Sequence, residues 1–493
     1  MAAIIAILII PLFWTLSIIQ RYFFVNKHSK VIVGIDKDSS PINSIQKKAI
    51  YTAINKMKDY NLSIKREGLD DITGPIYVIA SYNSDLDKYI IPLALEGYDP
   101  KYVIALDELE PSRKTLWNDL GTIIDYSKTD YLRINDIHEA RKKGHSVVEF
   151  AGRIGSPIGN NIPAHTMDNW AKKYAYRDTI SNALNSGLPI VTLTIEGSYL
   201  SNPMWADYEL KDIPIVANLK CIYRPDNQKN VKYASYFDFE DGYTELREKI
   251  LKEFSRSDYD YQLANNIKIT YPKRAEGLHK VLYQCINCGT KYKMTSYNSN
   301  IKCNECGSEW TLDELGRMNA ADTLTPFTPA EWYRWEYLEC YNEAKKIKAT
   351  KRGYKIKRNF DVHVKALVNS NGIIDIGYGV LTFNKEEFCL TFSNIYFEKS
   401  VYSDEFKDIK YMNVIKNENR KNQEKNANAK QFHFPHNSNK LSSVRVRFDS
   451  KDKEDKKGII LINEKCLFYV YCTQNTFEPI ELQILTEFYS ALI

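Results

Sequence analysis

The sequence predicts an α/β domain with a mostly parallel sheet and flanking helices, placed between an N-terminal transmembrane helix and a strand-rich C-terminal region. Three observations lead to this fold class. Short β-branched runs alternate with helical stretches from about residue 30 to residue 255, four paired cysteines follow, and strand-like patterns dominate the rest. Alternating strands and helices are typical of parallel sheets. A chain of 493 residues has room for about two to four domains.

Residues 1–25 are predicted to form a single membrane anchor. The stretch 2–19 is almost entirely apolar and long enough to cross a bilayer. No basic residue precedes it and no small-residue cleavage site follows, unlike a secretory signal peptide. Arg21, Lys27 and Lys30 lie just beyond it, so the positive-inside rule places the bulk of the chain in the cytoplasm. A buried helix or an interfacial segment is the alternative.

The α/β domain is predicted over residues 26–265. Helical stretches at 128–143 and 167–186 separate several of its six predicted strands. These strands are 75–81, 101–107, 120–125, 145–152, 188–197 and 213–223. A parallel sheet binds ligands at the carboxyl ends of its strands. The polar segments 81–87 and 152–159 directly follow two strands and are therefore candidate site loops.

Four cysteines have the spacing of a metal-binding ribbon. Cys285 and Cys288 form one C-x-x-C pair, Cys303 and Cys306 form a second, and a glycine follows each pair. This spacing predicts a zinc ribbon over residues 275–315. Four thiolates fill a tetrahedral zinc site and leave no position for water, so the zinc would be structural. The other five cysteines are scattered, as is typical of a reduced compartment.

A linker helix is predicted over residues 325–350, because Thr328, Pro329 and Glu331 have the spacing of a capped helix start. Trp332 and the aromatic residues that follow it are expected to lie in a core rather than on a membrane surface.

Residues 351–493 are predicted to form a strand-rich domain with a C-terminal helix. Val444, Val446 and Phe448 alternate with arginines, as in a half-buried antiparallel strand. The last 16 residues, 478–493, place apolar side chains on one helical face. Several antiparallel strands closed by one helix resemble the barrel of pleckstrin-homology and GRAM domains in pattern, with no shared motif.

The strand and polar loop at 76–92 resemble the first block of the glycerolipid acyltransferase superfamily, which includes lysophosphatidate and glycerol-3-phosphate acyltransferases. That block is N-H-x-S-x-x-D after an apolar strand. Here Ser84 and Asp87 are retained, and Tyr82 stands in place of the histidine. Later segments follow the family order and extend the resemblance over about residues 26–260. These segments are 120–130, 140–156 and 187–200. A branch of the superfamily is similar in carrying a four-cysteine ribbon and a further domain.

The resemblance implies a reaction at a membrane lipid. An acyl group would pass from an acyl thioester to the hydroxyl of a lysophospholipid or glycerol phosphate, and a histidine held by the aspartate would remove the hydroxyl proton. The family catalytic positions are Tyr82 and Asp87. The positions implied to bind substrate are Ser84, Gly152, Arg153 and Ser156.

The sequence departs from the family at the residues that perform the chemistry. A phenol with a pKa of about 10 is protonated at neutral pH, so Tyr82 is a poor base. Phe150 is not followed by the family's Pro-Glu-Gly, and Glu149 should point to the other side of its strand. His145 is expected at the far edge of the sheet, whereas His165 follows the glycine-rich loop and is the nearer substitute base.

Two hypotheses about function follow. The chain is either an acyltransferase with an altered base, or a catalytically inactive relative that binds membrane lipid or protein, and the missing histidine favours the second. A third, weaker hypothesis treats the ribbon as a nucleic-acid module. A net charge of +5 over this length does not indicate nucleic acid, so no nucleic-acid partner is expected. The ribbon nevertheless carries basic and aromatic residues at Lys280, Tyr283, Lys291, Tyr292, Lys293 and Lys302.

Overall fold

The computed structural model describes most of the α/β domain, the ribbon and the elements of the C-terminal region. The described residues are 44–105, 116–117, 119–125, 130–150, 158–159, 177–225, 240–320, 327–349, 358–369, 372–383, 387–392, 430–435, 444–449, 456–462, 467–473 and 479–491. Within these ranges no helix combines the length and the apolar character needed to cross a membrane. The predicted anchor at 1–25 lies outside them.

Seven strands form the sheet of the α/β domain. They are β1 (Leu62–Glu67), β2 (Tyr77–Ala80), β3 (Pro100–Ala105), β4 (Thr122–Asp125), β5 (Ser146–Phe150), β6 (Ile190–Glu196) and β7 (Ile215–Tyr223). Their order is β1-β7-β6-β2-β5-β3-β4. Every neighbouring pair is parallel except β6 with β7. The predicted mostly parallel sheet is therefore confirmed, with all six predicted strands.

Helices cover both faces of this sheet. They are α1 (Ser44–Met57), α2 (Asp87–Ala94), α3 (Asp130–Lys142), α4 (Arg177–Ser186), α5 (Ser198–Ser201), α6 (Glu240–Glu253) and α7 (Asp258–Ala264). Successive strand residues point to opposite faces. Val78 and Ala80 accordingly join one core with α1 and α2, while Tyr77 and Ile79 join a second core with α3, α4 and α6. The first half of the predicted helix at 167–186 lies outside the described residues.

The ribbon and the linker helix follow. Four antiparallel strands have the order β11-β10-β9-β8. They are β8 (Met294–Tyr297), β9 (Asn300–Cys303), β10 (Glu309–Leu312) and β11 (Met318–Asn319). Helix α8 (Pro329–Ala349) begins with the predicted capping box, in which the N–H of Glu331 donates to Thr328 Oγ1 at 3.2 Å. Trp332 is fully buried and donates from Nε1 to the carbonyl of Gln284 at 2.9 Å, which confirms its core position.

The C-terminal region is a seven-stranded antiparallel sheet followed by α9 (Pro479–Ala491), as predicted. Its strands are β12 (Arg358–Asn369), β13 (Gly372–Phe383), β14 (Glu387–Phe392), β15 (Lys430–Pro435), β16 (Val444–Asp449), β17 (Lys456–Ile462) and β18 (Leu467–Cys472). The order is β15-β14-β13-β12-β18-β17-β16, and α9 packs against α8 and β16. Closure into a barrel stays a prediction, because the described strand pairs do not join the two edge strands, β15 and β16.

A buried carboxylate joins the ribbon to the C-terminal region. The side chain of Glu481 in α9 is 2% exposed and accepts hydrogen bonds from Lys291 Nζ and Arg358 Nη1, each at 3.1 Å, and from the Tyr292 hydroxyl. Lys291 also pairs with Glu343 of α8 at 2.8 Å. Burial opposes ionisation of Glu481, but Arg358 and Lys291 outweigh it and hold its pKa below the ordinary value. The ion-pair cluster therefore joins two ribbon residues to α8, β12 and α9.

We expect Glu481→Ala to loosen the C-terminal region from the ribbon. The change leaves Lys291 and Arg358 without their shared partner, and losing one member of a buried pair costs about 3–5 kcal/mol. We expect about 2–4 kcal/mol because both cations are partly exposed. Chemical denaturation measures this loss. The matched control is Glu343→Ala, whose side chain is 46% exposed and pairs with Lys291; it should cost less than about 1 kcal/mol. Equal losses for the two variants would contradict a special role for Glu481.

Candidate functional site

The candidate site lies at the edge of the sheet where β2, β5 and β6 end. Strand β2 pairs with both β5 and β6 in parallel, so the carboxyl ends of all three strands meet. The loop after β2 is tied to β6: the N–H of Ser81 donates to the Leu193 carbonyl at 2.8 Å, and Ser81 Oγ accepts the N–H of Ile195 at 2.9 Å. Ser84 Oγ donates to the Asn202 carbonyl at 3.2 Å.

Asp87 organises the polar loop from inside. It is the first residue of α2 and is fully buried, and its Oδ2 accepts the N–H groups of Asn83 at 2.6 Å and Ser84 at 3.1 Å. Burial raises the pKa of Asp87 to about 6, although Ser198 and these two N–H groups act to lower it. The Ser198 hydroxyl lies beside the carboxyl, but neither it nor Asp87 Oδ1 makes a hydrogen bond of normal geometry with the described residues. Asp87 thus binds the backbone of its own loop.

Tyr82 belongs to an aromatic cluster. Its half-buried ring packs edge-on against Phe150 with centroids 5.3 Å apart and lies 6.4 Å from the ring of Trp117. Trp117 in turn contacts Phe150 at 5.8 Å and Tyr102 at 5.3 Å. Trp117 and Tyr102 are fully buried, so the half-buried rings of Tyr82 and Phe150 form the apolar surface next to the polar loop. Such a surface can contact an alkyl chain or another apolar group but supplies no base.

Glu149 and His145 both lie away from the site. Glu149 points to the opposite face of β5, where its carboxylate accepts the Tyr77 hydroxyl at 2.6 Å and the amide of Asn182 at 3.1 Å. His145 precedes β5, and its Nδ1 lies 2.7 Å from Asp99 Oδ2 at the amino edge of the sheet. Both expectations about orientation are confirmed. Each side chain has a structural partner, and neither reaches the carboxyl edge.

Four further predicted positions lie outside the described residues. They are Gly152, Arg153, Ser156 and His165. Their proposed roles in substrate binding or as a base therefore stay predictions. The described end of the same loop, Ile158 and Gly159, is buried against α5 and α7.

Asp258 is a site residue that the sequence did not reveal. It opens α7, is 1% exposed, and its backbone N–H donates to the Gly159 carbonyl at 3.1 Å. Its Oδ2 accepts the N–H groups of Gly197 at 3.1 Å, Tyr199 at 2.9 Å and Leu200 at 3.3 Å. Burial raises the pKa of Asp258 to about 8. Only the capping box at the start of α7 could have drawn attention to this position.

Gly159 has a steric role. Its φ of +73° is one that side chains rarely adopt, and a Cβ there would lie 2.5 Å from the ring of Tyr199. At Gly159 the described contacts are those of close packing against Tyr199 and Asp258.

The four predicted metal ligands do come together. The sulfur atoms of Cys285, Cys288, Cys303 and Cys306 all lie within 4.8 Å of one another, and none is in a disulfide. The Cys285–Cys306 and Cys288–Cys303 sulfur distances are 3.7 Å and 3.8 Å. This thiol set can hold a metal ion that prefers sulfur ligands.

The surroundings favour the thiolate form at the two exposed cysteines, Cys288 and Cys306, whereas burial raises the pKa of Cys285 and Cys303. Thr290 Oγ1 and Ser308 Oγ each lie 3.3 Å from a sulfur, that of Cys288 and of Cys306 respectively. The Ser308 hydroxyl lowers the pKa of Cys306 to about 6, and the Thr290 hydroxyl lowers that of Cys288. Each cysteine pair therefore has one hydroxyl that stabilises the negatively charged form its metal would require.

The basic and aromatic residues noted on the ribbon are largely engaged inside the protein. Lys280 and Tyr283 are buried, and Lys291 and Tyr292 both bond Glu481. Those four side chains do not form an exposed stacking surface of the kind that binds single strands.

The comparisons with known proteins are sparse. No family model matches the chain, and no curated protein is similar to it. Among solved structures, the crystal structure of the 1-acyl-sn-glycerophosphate (LPA) acyltransferase PlsC from Thermotoga maritima shows partial similarity. The two chains are 16% identical, the match covers 42% of this chain and 76% of that chain, and the TM-score is 0.30. With so low a TM-score, the fold class rests on the strand order given above.

We expect Gly159→Ala to destabilise the protein more than Gly144→Ala. Both glycines have positive φ, +73° and +80°, so both variants suffer backbone strain of about 1–2 kcal/mol. Only at Gly159 does the added methyl group also meet a ring, and such overpacking costs a further ~1–3 kcal/mol. At Gly144 no atom lies within 4 Å of the added carbon. Urea denaturation compares the two variants, and equal losses would show that Gly159 is not held by Tyr199.

Proposed function

We propose that this chain is a membrane-associated protein of the glycerolipid acyltransferase type that binds a lipid at the carboxyl edge of its sheet and does not transfer an acyl group. The acyltransferase origin is supported by the order of the sequence blocks around Ser84 and Asp87. Membrane association is supported by the apolar stretch at 2–19.

The proposal rests on the surroundings of Tyr82 and Asp87, the two positions that correspond to the catalytic residues of the family. Acyl transfer needs a base that removes the proton of the attacking hydroxyl. Tyr82 offers a phenol packed against Phe150, and Asp87 is fully buried with its Oδ2 bonded to the N–H groups of Asn83 and Ser84. The described parts of the three site loops contain no histidine.

The same edge retains features suited to binding. The aromatic cluster around Tyr82 can contact an acyl chain, and the adjoining polar loop can hydrogen-bond a headgroup. Asp85, the exposed carboxylate of this loop, is 3.4 Å from Lys88, which reduces its repulsion of an anionic lipid. A lysophospholipid has both required parts, one acyl chain and a phosphate headgroup.

We expect the purified chain to bind lysophosphatidate without acylating it. The assay uses phosphatidylcholine vesicles with and without lysophosphatidate, and an acyl thioester as donor. Tyr82→Ala should weaken the lysophosphatidate-dependent binding by about 5- to 30-fold, because an aromatic contact of about 1–2 kcal/mol is lost. The matched control is Tyr378→Ala, since Tyr378 is 72% exposed in the C-terminal region; its binding should be unchanged.

Turnover by the wild-type chain that Asp87→Ala abolishes would overturn the inactive assignment. Binding that does not depend on lysophosphatidate would overturn the lipid assignment. Tyr82→His tests the origin of the site separately. A gain of acyl transfer in Tyr82→His that disappears when Asp87→Ala is added would support descent from an active acyltransferase, because only the base would have been restored.

We infer further that the four-cysteine site holds structural zinc. Four cysteine ligands fill the tetrahedral shell that zinc prefers and leave no open position for a reacting water. Cys285 and Cys303 are buried, and their N–H groups donate within each knuckle to the carbonyls of Thr290 and Ser308 at 3.0 Å and 2.9 Å. Both knuckles therefore present their sulfur atoms on fixed backbone turns.

The wild-type chain should contain about one zinc ion per molecule by elemental mass spectrometry. Cys303→Ser should lose the zinc and become sensitive to proteolysis within the ribbon, because a structural site supplies folding free energy. Cys221→Ser is the matched control, since Cys221 lies outside the cluster and is partly buried in β7. Iron in place of zinc, or full zinc content in Cys303→Ser, would contradict the assignment.

A further inference from the structure

The candidate site encloses two carboxyl groups that are both removed from solvent. Asp87 is 0% exposed and Asp258 is 1% exposed. In each group Oδ2 accepts backbone N–H groups, and Oδ1 has no hydrogen-bond partner among the described residues. Each carboxyl therefore holds a backbone loop with one oxygen, and the described residues leave its other oxygen without a hydrogen bond.

The two carboxyls are connected through the turn after β6. Asp258 binds the N–H groups of Gly197, Tyr199 and Leu200. Ser198 belongs to the same turn, and its hydroxyl lies beside Asp87. The conformation of this turn is constrained. Gly197 has a φ of +86°, and a Cβ there would lie 2.2 Å from the Pro214 carbonyl oxygen. The N–H groups of such a turn have no backbone acceptor, and the Asp258 carboxyl accepts three of them.

Asp258 also reaches the third loop of the site. Its own backbone N–H donates at 3.1 Å to the carbonyl of Gly159, a described residue of the segment after β5. One residue thus contacts the loop after β5 through its backbone and the turn after β6 through its side chain. Asp87 contacts the loop after β2. Together the two aspartates bind described residues after β2, β5 and β6.

Among the described residues, the groups that shift the pKa of Asp87 and Asp258 most include no lysine, arginine or histidine. Asp85 faces Asp87 with like charge, and the phenols of Tyr199, Tyr259 and Tyr261 face Asp258. Two unbalanced charges in a buried site are costly, so one carboxyl keeps its proton.

We propose that Asp258 is the positioning residue of the candidate site and that Asp258 and Asp87 form a buried two-carboxyl unit that holds the loop after β2, the turn after β6 and Gly159 in place. This unit acts on the backbone that shapes the site. It does not require that the site transfer an acyl group or bind a lipid, so the proposal stands apart from the proposed function.

The unit has a defined pH dependence. Burial raises the pKa of Asp87 to about 6 and that of Asp258 to about 8, against about 3.9 for an aspartate in the unfolded chain. The folded state therefore binds more protons than the unfolded state between about pH 4 and pH 8, and the contribution of the pair to stability falls as pH rises through this window. The phenols beside Asp258 have pKa values raised by burial and stay neutral there.

The test compares three variants of the full chain. Asp258→Asn keeps an oxygen that accepts the three N–H groups but removes the titrating carboxyl. Asp258→Ala removes both. Asp260→Asn is the matched control, because Asp260 lies in the same helix and also accepts a backbone N–H, that of Ser257 at 2.9 Å, but is exposed. The measurements are hydrogen exchange at residues 81–87 and 195–202 and the melting temperature from about pH 5 to pH 8.

Asp258→Ala should raise hydrogen exchange at 195–202 by roughly tenfold or more, since three N–H groups there lose their acceptor. Exchange at 81–87 should rise by less, because this segment is coupled to 195–202 through the hydrogen bonds of Ser81 with Ile195 and of Ser84 with Asn202. Asp258→Asn should keep this protection and show a smaller drop of melting temperature between about pH 5 and pH 8 than wild type. Asp260→Asn should match wild type in both measurements.

Unchanged exchange at 81–87 and 195–202 in Asp258→Ala would overturn the positioning role. A pH dependence of the melting temperature in Asp258→Asn equal to that of wild type would show that the two carboxyls do not retain a proton. This measurement remains decisive for the proton if Asp258→Ala fails to fold. Lysophosphatidate binding of Asp258→Asn is measured separately, so failure of the lipid proposal and failure of this one give different results.

Discussion

The parallel pairing of β2 with both β5 and β6 is the constraint on which the candidate site depends. A parallel strand places its carboxyl end level with those of its neighbours, so the segments that follow three strands far apart in sequence come together at one edge. The pairing buries β2 completely, and alternate residues of the strand enter the two cores on either side of the sheet. A one-residue slip of β2 would exchange these faces and displace Ser81 from Ile195. The site is therefore fixed by the interior of the sheet.

Buried polar groups then give that edge its shape. Ser81, Asp87 and Asp258 each accept backbone N–H groups that would otherwise lack partners in a water-poor region. A satisfied buried hydrogen bond contributes about 1 kcal/mol, and losing one partner costs about 1–3 kcal/mol. The carboxylates accept two and three such bonds, so their structural contribution is larger than that of an exposed acid. In the described structure Asp87 binds the backbone of its own loop through Oδ2, whereas in the acyltransferase pattern a carboxylate at this position would orient a histidine.

The sequence predicted local features well and long-range contacts poorly. The six buried strands follow from β-branched runs, whereas β1 was missed because five of its six residues are exposed and lack an apolar repeat. The four cysteines were predicted together because both pairs carry their spacing within 22 residues. Asp258 was missed because its partners, near Gly159 and Gly197, lie 99 and 61 residues away. No periodicity encodes such a contact.

The Glu481 cluster shows why the ribbon belongs to the architecture of the whole chain. Lys291 and Tyr292 lie between the two cysteine pairs, so the turn that presents them to Glu481 is the one that the metal ligands constrain. Helix α8 binds Gln284, the residue before Cys285. Trp332 Nε1 donates to the Gln284 carbonyl at 2.9 Å, and the Gln284 N–H donates to Glu336 Oε1 at 2.7 Å. A buried carboxylate is stable only while its cations stay in place. We therefore expect metal binding by the four cysteines and docking of the C-terminal sheet to be linked, because both would require the same short segment to hold one conformation.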